Sequence, residues 1–528
     1  MFSFGLENLR RLKDVERIEI RPITLLVGRN SSGKSSYLRA LPLLRQSSMT
    51  RTSSPILWYG DFVDFGSYEG AISDNDVSKK MSFRFSVDRL YKERRHYYSG
   101  AGFMTYPGEV SNEVVDCDVS LKASKDSAQI CAIKIVAHIS EKKYEINVEN
   151  TNVVSSMKMD DEDILKYFQG IKFYIQQGSI FPSLYATSER ALANSSLSGG
   201  VEVMAAAEYF AKIIKPFLDK RLKEEAVVEL CANLLIRDKV GRDDLALYAQ
   251  RISIKSFSKL LVDISGKDTK KLFAILEKLH AAIQVMLLVR AVGERLRKVI
   301  SGVLYIGPAR ARSERYYRYQ DLAVSEIDPD GKNFPMFLNS LKDAQFRSLS
   351  SWVEQLFSYK LELSRSSGHI SINVVEKGST TNVVDTGYGV SQILPVLGQI
   401  WWAMNAPRDV RSRNQSGDEK FIVIEQPELH LHPAHQALLA DALAEGNQRS
   451  KVSKAPRKLS FIIETHSETL VNRLGQLISE KKIDADDVQV VLFEPDDGQD
   501  RLTKIRISRF GSEGQLIDWP YGFFQPSV

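Results

Sequence analysis

The loop from Gly28 to Ser36 has the residue types and spacing that bind phosphate groups, G-x-x-x-x-G-K-S. It follows an apolar run, residues 23–27, that we predict to be a buried strand, and it precedes a helical pattern at residues 37–44. A strand, a glycine-bounded turn and a helix start aim backbone N–H groups and the positive end of the helix at a phosphate. Lys34 would then reach the β- and γ-phosphates, and the Ser35 hydroxyl would hold Mg²⁺. The predicted nucleotide contacts in this loop are Asn30, Ser31, Ser32, Gly33, Lys34, Ser35 and Ser36.

A second apolar run, residues 421–424, ends in two polar residues, Glu425 and Gln426. A Walker B strand usually ends in Asp and Glu, of which the first orders Mg²⁺ and the second polarises the attacking water. We therefore predict that Glu425 holds Mg²⁺ together with Ser35. Gln426 can orient a water but cannot take its proton, because an amide has no basic site at neutral pH. We expect weak or conditional hydrolysis of ATP, with Glu428 as a substitute base.

A glycine-containing turn, Gly387 to Gln392, leads into an apolar helical pattern before the Walker B run. The N-terminus of such a helix suits a phosphate group. We predict that Gly389, Ser391 and Gln392 bind nucleotide as the signature helix of ABC-type ATPases does, by closing over the γ-phosphate held by a second subunit. The simpler alternative is a turn that only leads into a core helix.

A third apolar run, residues 461–463, ends in Glu464, Thr465 and His466. This pattern is typical of a buried strand that ends in an exposed histidine. We predict that His466 contacts the γ-phosphate, as the switch histidine does in ABC-type sites. The alternative is a histidine whose hydrogen bonds are satisfied locally at the end of a strand.

Three histidines follow Glu428, at positions 430, 432 and 435, with the spacing H-x-H-x-x-H. This spacing could bring imidazoles together around a metal. Because the segment directly follows the Walker B run, we interpret the histidines as contacts to a partner subunit or as local hydrogen-bonding groups. The glutamine of an ABC-type Q-loop is left open between Gln46 and the segment 61–67.

The hydrophobic pattern changes twice along the chain. Residues 56–150 alternate as strands do, residues 201–301 show helical spacing, and a mixed β/α pattern resumes at Val303. A phosphate-binding loop near the start and a Walker B run almost 400 residues later imply one ATPase domain that is split by an insertion. We predict an α/β fold with three parts, residues 1–154 (phosphate loop and strand-rich lobe), 155–301 (inserted, mainly helical) and 302–528 (signature, Walker B and switch histidine).

The composition is that of an ordinary globular protein. Of 528 residues, 43% are hydrophobic and 26% are charged, which excludes a disordered chain and allows two or three domains. The net charge of +5 is small for this length and does not by itself indicate a nucleic-acid partner. Three widely separated cysteines argue against a disulfide framework. Because we find no signal peptide pattern or membrane-length apolar run, we expect a cytoplasmic protein.

Taken together, these motifs resemble the SMC/ABC-like ATPases of bacterial anti-phage systems, which are relatives of the OLD-family (AAA_15/AAA_21-type) ATPase domain. The motifs that carry the resemblance are Gly28–Ser36, Tyr305–Arg310, Gly387–Gln392, Glu425–Pro433, Glu464–Ser467 and the ending Ile517–Phe524. The resemblance implies an ABC/SMC-type P-loop ATPase head, split by an inserted helical region and carrying a strand-rich lobe. It also implies ATP and Mg²⁺ as cofactors and a homo-oligomer of ATP-sandwich dimers, with larger rings as a further option.

OLD and Gabija-type proteins carry a TOPRIM nuclease after the ATPase, but only 62 residues follow His466 here. The resemblance is therefore greatest to the PtuA ATPases of Septu systems, whose partner is a separate HNH nuclease, PtuB. Some PtuA-like ATPases also accompany a retron reverse transcriptase with its RNA–DNA product. We interpret the acidic segment 496–500 as a hairpin loop and not as a nuclease metal site. The alternative function is a DNA-binding clamp of the RecF/SMC type that acts in repair without a nuclease.

Two segments mix arginine with tyrosine, residues 92–98 and residues 310–318. Such a composition can pair with phosphates and stack on bases, so both are candidates for DNA contact. Charged runs are more often solvated surfaces, which is the preferred interpretation of the first segment. The second segment follows a predicted core strand near the nucleotide, and contact with nucleotide or with a neighbouring subunit is an equal alternative there.

Overall fold

The computed structural model describes most of the 528 residues. The residues outside the description are 100–101, 125–126, 139–140, 150–151, 169, 177, 189–200, 238, 266–269, 321–323, 406–418, 453–457, 496–502 and 521–528. Only the backbone is described for 92–99, 102–109, 188, 265, 452 and 495. The acidic segment 496–500, the last residues of the Trp-Pro-x-Gly-Phe-Phe ending and the side chains of the basic segment 92–98 therefore lie outside the described residues.

The first 190 residues are mainly strands. The strands are β1 (Phe2–Leu9), β2 (Leu12–Glu19), β3 (Ile23–Gly28), β4 (Met81–Val87), β5 (Leu90–Ser99), β6 (Gly102–Ser111), β7 (Val115–Ser124), β8 (Ser127–Ala137), β9 (Lys142–Val148), β10 (Val154–Met159), β11 (Glu162–Asp163), β12 (Ile171–Ile175) and β13 (Leu184–Ser188). The helices in this part are α1 (Lys34–Met49) and the single turn α2 (Tyr68–Ala71).

The middle of the chain is helical and the last part is mixed. The middle helices are α3 (Val201–Ile214), α4 (Glu224–Leu235), α5 (Arg242–Ala249), α6 (Lys255–Ser265) and α7 (Lys270–Ser301). The later helices are α8 (Phe334–Ser340), α9 (Asp343–Phe357), α10 (Tyr388–Asn405), α11 (Pro433–Val452) and α12 (Glu468–Ser479). The later strands are β14 (Val303–Ile306), β15 (Tyr317–Arg318), β16 (Lys360–Ser366), β17 (His369–Glu376), β18 (Ser379–Asn382), β19 (Glu419–Glu425), β20 (Lys458–Glu464), β21 (Val488–Pro495), β22 (Thr503–Phe510) and β23 (Leu516–Ile517).

The chain divides into two compact units. The P-loop unit contains Phe4–Arg51, Leu57–Lys79 and Lys298–Val528, and the strand–helix unit contains Met1–Ser3, Thr52–Ile56 and Lys80–Arg297. The α/β class, the strand-rich part and the inserted helices were all predicted, and the architecture confirms them. The units do not follow the predicted boundaries at 154 and 301, because the strands from residue 80 onward cluster with the helices of the insertion.

The central sheet of the P-loop unit has seven strands in the order β14-β19-β20-β3-β21-β22-β23. The first five strands are parallel, and the last two are antiparallel. Parallel strands are usually buried on both faces, which explains the unbroken apolar runs in β3, β19 and β20. Because β20 lies between β3 and β19, the carboxyl ends of these three strands meet at one edge of the sheet. Glu425 and Glu464 are register partners at that edge.

Helices and a smaller sheet complete the P-loop unit. The core cluster joins the central sheet to α8–α12 and includes the fully buried Trp401 and Phe461. The indole of Trp352 on α9 donates a hydrogen bond of 2.7 Å to Glu445 on α11, which satisfies its polar group at the edge of the core. Strands β15 to β18 form an antiparallel sheet, and β1 and β2 are neighbouring strands that precede the phosphate loop.

The strand–helix unit combines an antiparallel sheet with helices α3 to α6 and most of α7. Its strands follow the order β11-β10-β9-β8-β7-β4. Strand β7 alternates between buried and partly exposed residues, as expected for a sheet with one face on a core. Helix α7 is long and apolar enough to cross a membrane by length and composition alone, but half of its most apolar window is buried inside the protein. A core helix of this kind passes the same test, so α7 is only a weak indication of a membrane span.

The contact of α12 with the turn before β23 can be tested by filling the space beside Gly475. A methyl group there would lie 2.4 Å from the Gly514 carbonyl oxygen. We expect Gly475→Ala to lower the free energy of unfolding by about 1–3 kcal/mol, as overpacking does, despite the better helix propensity of alanine. Urea unfolding measures the change. Gly70→Ala is the control, because its methyl would have no neighbour closer than 3.4 Å; equal losses in both variants would contradict the close packing.

Candidate nucleotide-binding site

Two glycines give the phosphate loop its shape. Gly28 ends β3, and a Cβ atom there would lie 2.3 Å from the Phe493 carbonyl oxygen on β21, so only glycine fits. Gly33 immediately precedes α1 and has a φ of 100°, a left-handed conformation that glycine adopts without strain. The chain therefore leaves the sheet, turns sharply and enters α1 at Lys34, as the sequence predicts.

The loop encloses a cavity of about 380 Å³, within the range of small-molecule sites. The lining residues are Arg10, Arg11, Asn30, Ser31, Ser32, Gly33, Lys34, Ser35, Ser36, Gln426 and Glu464. The seven predicted phosphate-loop residues thus lie together, and three cations face the cavity, which suits a polyphosphate. A larger cavity of about 700 Å³ lies in the strand–helix unit between α4 and α5, away from these motifs.

Lys34 is placed at the centre of the loop. It is 3% exposed, and its ammonium donates hydrogen bonds to the carbonyl oxygens of Gly28 (2.9 Å) and Arg29 (2.8 Å). Burial lowers the pKa of this lysine, and the negative charge of Glu464 opposes the shift. An ammonium has three N–H donors, so one remains for a phosphate after these two bonds.

Ser35 contacts a carboxylate that sequence reasoning did not single out. Its hydroxyl donates a hydrogen bond of 2.9 Å to Oε1 of Glu464, at the end of β20. Glu464 is 2% exposed, and its second oxygen, Oε2, is buried without a hydrogen-bond partner. Burial raises the pKa of this carboxyl group above its ordinary value. The signal in the sequence was an acidic residue directly after an apolar strand, the same pattern that marked Glu425.

Both oxygens of the Glu425 carboxylate already accept hydrogen bonds from other side chains. Arg39 on α1 donates two hydrogen bonds of 2.7 Å, one to each oxygen, and the Tyr305 hydroxyl donates a third of 2.5 Å to Oε1. Glu425 is 2% exposed, and Arg310 donates to its backbone oxygen at 3.0 Å. Glu425 thus contacts Arg39 and Tyr305, whereas Ser35 contacts Glu464. That Ser35 and Glu425 hold Mg²⁺ together stays a prediction.

Gln426 turns the chain toward the cavity. It has a φ of 41°, unusual for a residue with a side chain, and its backbone N–H donates 2.8 Å to the Glu464 carbonyl oxygen. Left-handed conformations cost a non-glycine residue about 1–2 kcal/mol, so the neighbouring strands must hold this turn in place. The turn puts an amide, which can orient a water, among the residues that line the cavity.

A hydrogen bond joins the Glu428 carboxylate to the backbone of His466. Oε1 of Glu428 accepts a hydrogen bond of 2.6 Å from the His466 N–H, while Oε2 is buried without a partner. Burial raises the pKa of Glu428, which is not among the residues that line the cavity. Partial desolvation lowers the pKa of His466, and the charge of Lys34 lowers it further, so the histidine lies near the phosphate loop. That Glu428 acts as a base and that His466 contacts the γ-phosphate stay predictions.

Arg310 was predicted only as the first residue of the arginine–tyrosine segment 310–318, and its guanidinium is buried. Its Nε and Nη1 atoms have no hydrogen-bond partner, and desolvation lowers its pKa to about 10. Among the charges that oppose this shift, Glu428 is the largest. The Gly-Pro-Ala-Arg motif therefore places a cation beside the turn that follows Gln426.

The signature-like segment lies apart from the cavity of its own subunit. A Cβ atom on Gly389 would lie 2.5 Å from the His430 carbonyl oxygen, so the segment packs closely against the turn after the Walker B strand. The Ser391 hydroxyl donates to the Tyr388 carbonyl oxygen at 2.7 Å, and the buried Gln392 amide donates to the Arg310 carbonyl oxygen at 3.5 Å. Contact of Gly389, Ser391 and Gln392 with a nucleotide on another subunit stays a prediction.

The remaining candidate side chains make local contacts. The rings of His430 and His435 pack edge-on against Tyr388 and Phe357, respectively. The His432 ring accepts a hydrogen bond of 3.2 Å from the Ala434 N–H. Within the described residues, no group of three or more histidine, cysteine or acidic side chains could hold a metal ion.

Gln46 organises the loop that follows α1. Its amide nitrogen donates to the carbonyl oxygens of Leu57 (2.7 Å) and Val63 (3.1 Å). Its amide oxygen accepts from the N–H groups of Phe62 (3.2 Å) and Val63 (3.0 Å). The side chain is buried, and three of these four bonds join it to Phe62 and Val63, which lie in the other candidate segment for a Q-loop, residues 61–67.

The arginine–tyrosine segment 310–318 has a mixed environment. Arg310 is buried, and Arg315 forms two hydrogen bonds, of 2.9 and 2.7 Å, to the Asp385 carboxylate. Tyr316 is 61% exposed, and Arg312 and Arg318 are also exposed. Only part of the segment is therefore available to a nucleic acid or to a neighbouring subunit.

The chain belongs to a family of AAA ATPase domains, AAA_15, whose model matches residues 1–471. This membership confirms the predicted ATPase class. No curated protein matches the chain.

Solved structures that are similar to the chain include two SMC head domains. One is the Smc head domain with an extended coiled coil, bound to the C-terminal domain of ScpA, derived from Pyrococcus furiosus; it is 10% identical, with a TM-score of 0.30 and coverage of 96% of each chain. The other is the SMC head domain from Thermotoga maritima, 8% identical, with a TM-score of 0.31 and coverage of 96% of this chain and 97% of that one. Membership in the family rests on the family model and not on these distant structures.

Removing the cation beside Glu425 tests whether this pair stabilises the fold. We expect Arg39→Met to lower the free energy of unfolding by about 3–5 kcal/mol, because it leaves a buried carboxylate unpaired. The double variant Arg39→Met/Glu425→Gln should recover a large part of that loss. Urea unfolding of the single and double variants gives the coupling between the two residues.

Arg315→Met is the matched control, since Arg315 also forms a two-point pair, with Asp385, but both partners are exposed. Exposed pairs contribute little to stability, so this variant should unfold almost like the unmodified chain. Equal losses for Arg39→Met and Arg315→Met would show that burial of Glu425 does not decide the effect.

Proposed function

We propose that this chain is the ATP-binding regulatory ATPase subunit of an anti-phage defence complex, in which it controls a separate HNH-type nuclease of the PtuB kind. One observation supports ATP binding with slow turnover: the phosphate loop, Lys34 and Ser35 line one cavity with Gln426. The Walker B pattern predicts a general base at position 426 in a hydrolysing site. Such a site binds ATP and turns it over slowly, which suits a regulator more than a motor.

The residues of the cavity fit Mg²⁺-ATP. Backbone N–H groups of the loop and the remaining N–H of Lys34 would hold the β- and γ-phosphates. The Ser35 hydroxyl and a carboxylate at the strand ends beside the loop would supply the oxygen ligands that Mg²⁺ prefers. The ion would neutralise charge on the phosphates. Arg10 and Arg11 line the same cavity and add positive charge to it.

Weak hydrolysis follows from the chemistry of Gln426. Its amide can fix the position of a water but cannot accept the proton that the water loses. Glu425 binds Arg39, and Glu428, whose Oε1 accepts a hydrogen bond from the His466 N–H, does not line the cavity. Turnover would therefore be slow or depend on a partner.

ATP would lie between two copies of the chain in this proposal. The start of α10 carries the signature-like segment, and its residues do not line the cavity of the same copy. Tyr388 at this helix start is exposed and can reach another molecule. Binding of ATP would then order a dimer, or a larger ring of dimers, that holds or releases the nuclease.

The identity of the partner rests on the sequence motifs that resemble PtuA ATPases. A nuclease held by an ATP-bound assembly would be released when free ATP falls during infection. A retron reverse transcriptase with its RNA–DNA product is a variant of the same arrangement. The second candidate is a RecF/SMC-like DNA clamp, which is favoured by the exposed Tyr316 between exposed arginines.

Co-purification decides between these partners. The chain would be expressed with the products of its neighbouring genes and isolated with and without ATP. A small HNH protein that co-elutes in an ATP-dependent manner supports the nuclease-controlling complex. ATP-dependent retention on DNA without a protein partner would contradict it and support the clamp.

Lys34→Ala tests the nucleotide site itself. We expect ATP affinity to fall by about 30- to 150-fold, because about 2–3 kcal/mol of charged hydrogen bonding to phosphate is lost. Titration with a fluorescent ATP analogue measures the change, and nuclease control by ATP should disappear with it. Lys332→Ala removes an exposed lysine of the same unit and is the control. Unchanged affinity in Lys34→Ala would refute the site.

Gln426→Glu tests whether the amide limits hydrolysis. A carboxylate at this position can accept a proton, so we expect phosphate release to accelerate by about a hundredfold or more at saturating ATP. Gln426→Ala should instead lower the remaining rate, because it no longer orients the water. A rate in Gln426→Glu equal to that of the unmodified chain would show that another group, such as Glu428, already acts as the base.

A further inference from the structure

We propose that Glu464, and not Glu425, is the carboxylate that holds Mg²⁺ together with Ser35 when ATP is bound. This inference rests on the proposed nucleotide site and names a residue for one of its functions. It reverses the prediction from the Walker B pattern, which gives this role to Glu425.

The strand order places Glu464 nearest to the phosphate loop. Strand β20 is the direct neighbour of β3, and Glu464 is the register partner of Leu26, two residues before the loop begins at Gly28. Strand β19, which ends in Glu425, is one strand farther away. Glu464 lines the cavity, whereas Glu425 is not among the lining residues.

The hydrogen bond from Ser35 identifies the carboxylate beside the ion. A serine hydroxyl that binds Mg²⁺ does so through its oxygen, so its proton must be donated elsewhere. Here the Ser35 proton goes to Oε1 of Glu464 at 2.9 Å. The acceptor of that proton lies next to the oxygen that binds the ion, and partners of this kind fix the orientation of metal ligands.

The second oxygen of Glu464 lacks a partner. Oε2 is buried and accepts no hydrogen bond, a costly state for a carboxylate oxygen. A divalent cation, or a water bound to it, would satisfy this atom. The nearby ammonium of Lys34 attracts the carboxylate but donates its hydrogen bonds to the carbonyl oxygens of Gly28 and Arg29.

Glu425 is unsuited to the same role. Its two oxygens accept three hydrogen bonds, two of them from the guanidinium of Arg39. An ion bound at Glu425 would have to displace the guanidinium, at the cost of its two hydrogen bonds, or lie beside it, where the two cations repel each other. We therefore assign Glu425 to the buried ion pair with Arg39, which fixes α1 behind the phosphate loop.

Glu464→Gln is the variant that tests the inference. Glutamine keeps an oxygen that can accept the Ser35 hydrogen bond, so the fold should be retained, and a melting curve checks this. Mn²⁺ titrations followed by electron paramagnetic resonance, with a non-hydrolysable ATP analogue present, measure metal affinity without relying on activity. We expect the affinity for Mn²⁺ to fall by about 10–100-fold, while affinity for the analogue in EDTA is retained.

Two further variants separate the carboxylates. Ser35→Ala should weaken Mn²⁺ binding as well, and combining it with Glu464→Gln should add less than the sum of the two effects, since both act on one ion. Glu425→Gln should change the unfolding free energy but leave the Mn²⁺ affinity close to that of the unmodified chain. Glu480→Gln removes an exposed charge of the same unit on the far end of α12 and is the control.

The outcomes distinguish the inference from the proposed function. Loss of Mn²⁺ affinity in Glu464→Gln together with its retention in Glu425→Gln supports the assignment. Unchanged Mn²⁺ affinity in Glu464→Gln, or an equal loss in both variants, overturns it. If the unmodified chain binds neither the ATP analogue nor Mn²⁺ with it, the proposed nucleotide site itself is wrong.

Discussion

The structure of the site depends on two carboxylates that are buried side by side at the ends of adjacent strands. Glu425 and Glu464 are register partners, and both are almost fully enclosed. Two like charges cannot share such a place unless each has a compensating group. Arg39 donates two hydrogen bonds to the first, whereas the second accepts one from the Ser35 hydroxyl and feels the nearby charges of Lys34 and Arg39 without a hydrogen bond from either. Glu425, paired with Arg39, therefore has a structural role, whereas Glu464 keeps one oxygen that can bind a ligand.

Local patterns in the sequence predicted the parts of the site that are contiguous in the chain. The phosphate loop, the apolar strands beside it and the amide at Gln426 could each be recognised from a few neighbouring residues. Strand order and contacts across more than 100 residues were needed to place Tyr305 and Arg310 at the site and to bring Glu464 to Ser35. The role of Arg39 was equally hidden, since helical spacing does not reveal that its partner is on β19.

The same difference between local and long-range order explains the domain boundaries. The change from strand-like to helical spacing was predicted correctly from periodicity, and α3 to α7 occupy the expected region. The division into compact units, however, depends on which helices and strands pack together. The sheet that begins at β4 belongs with those helices and not with the phosphate loop that precedes it in sequence. A boundary drawn where the pattern changes therefore cuts through the strand–helix unit.

The rate of hydrolysis determines whether the occupancy of an ATP site depends on the concentration of free ATP. A ligand shifts a conformational equilibrium only by the difference in its affinity for the two states, and this shift lasts while the ligand stays bound. A site with an efficient base hydrolyses its ATP, so the fraction of sites that hold ATP depends on the rate of turnover. Under the proposed function, a site with glutamine at position 426 would keep its ATP, so its state would follow the concentration of free nucleotide. Glu464 and His466 are separated by a single residue, so binding of a ligand at Glu464 would directly affect the position of His466, which is outside the cavity lining. A metal that binds Glu464 would act on the end of β20, and the same segment is fixed to Glu428 by the hydrogen bond from the His466 N–H.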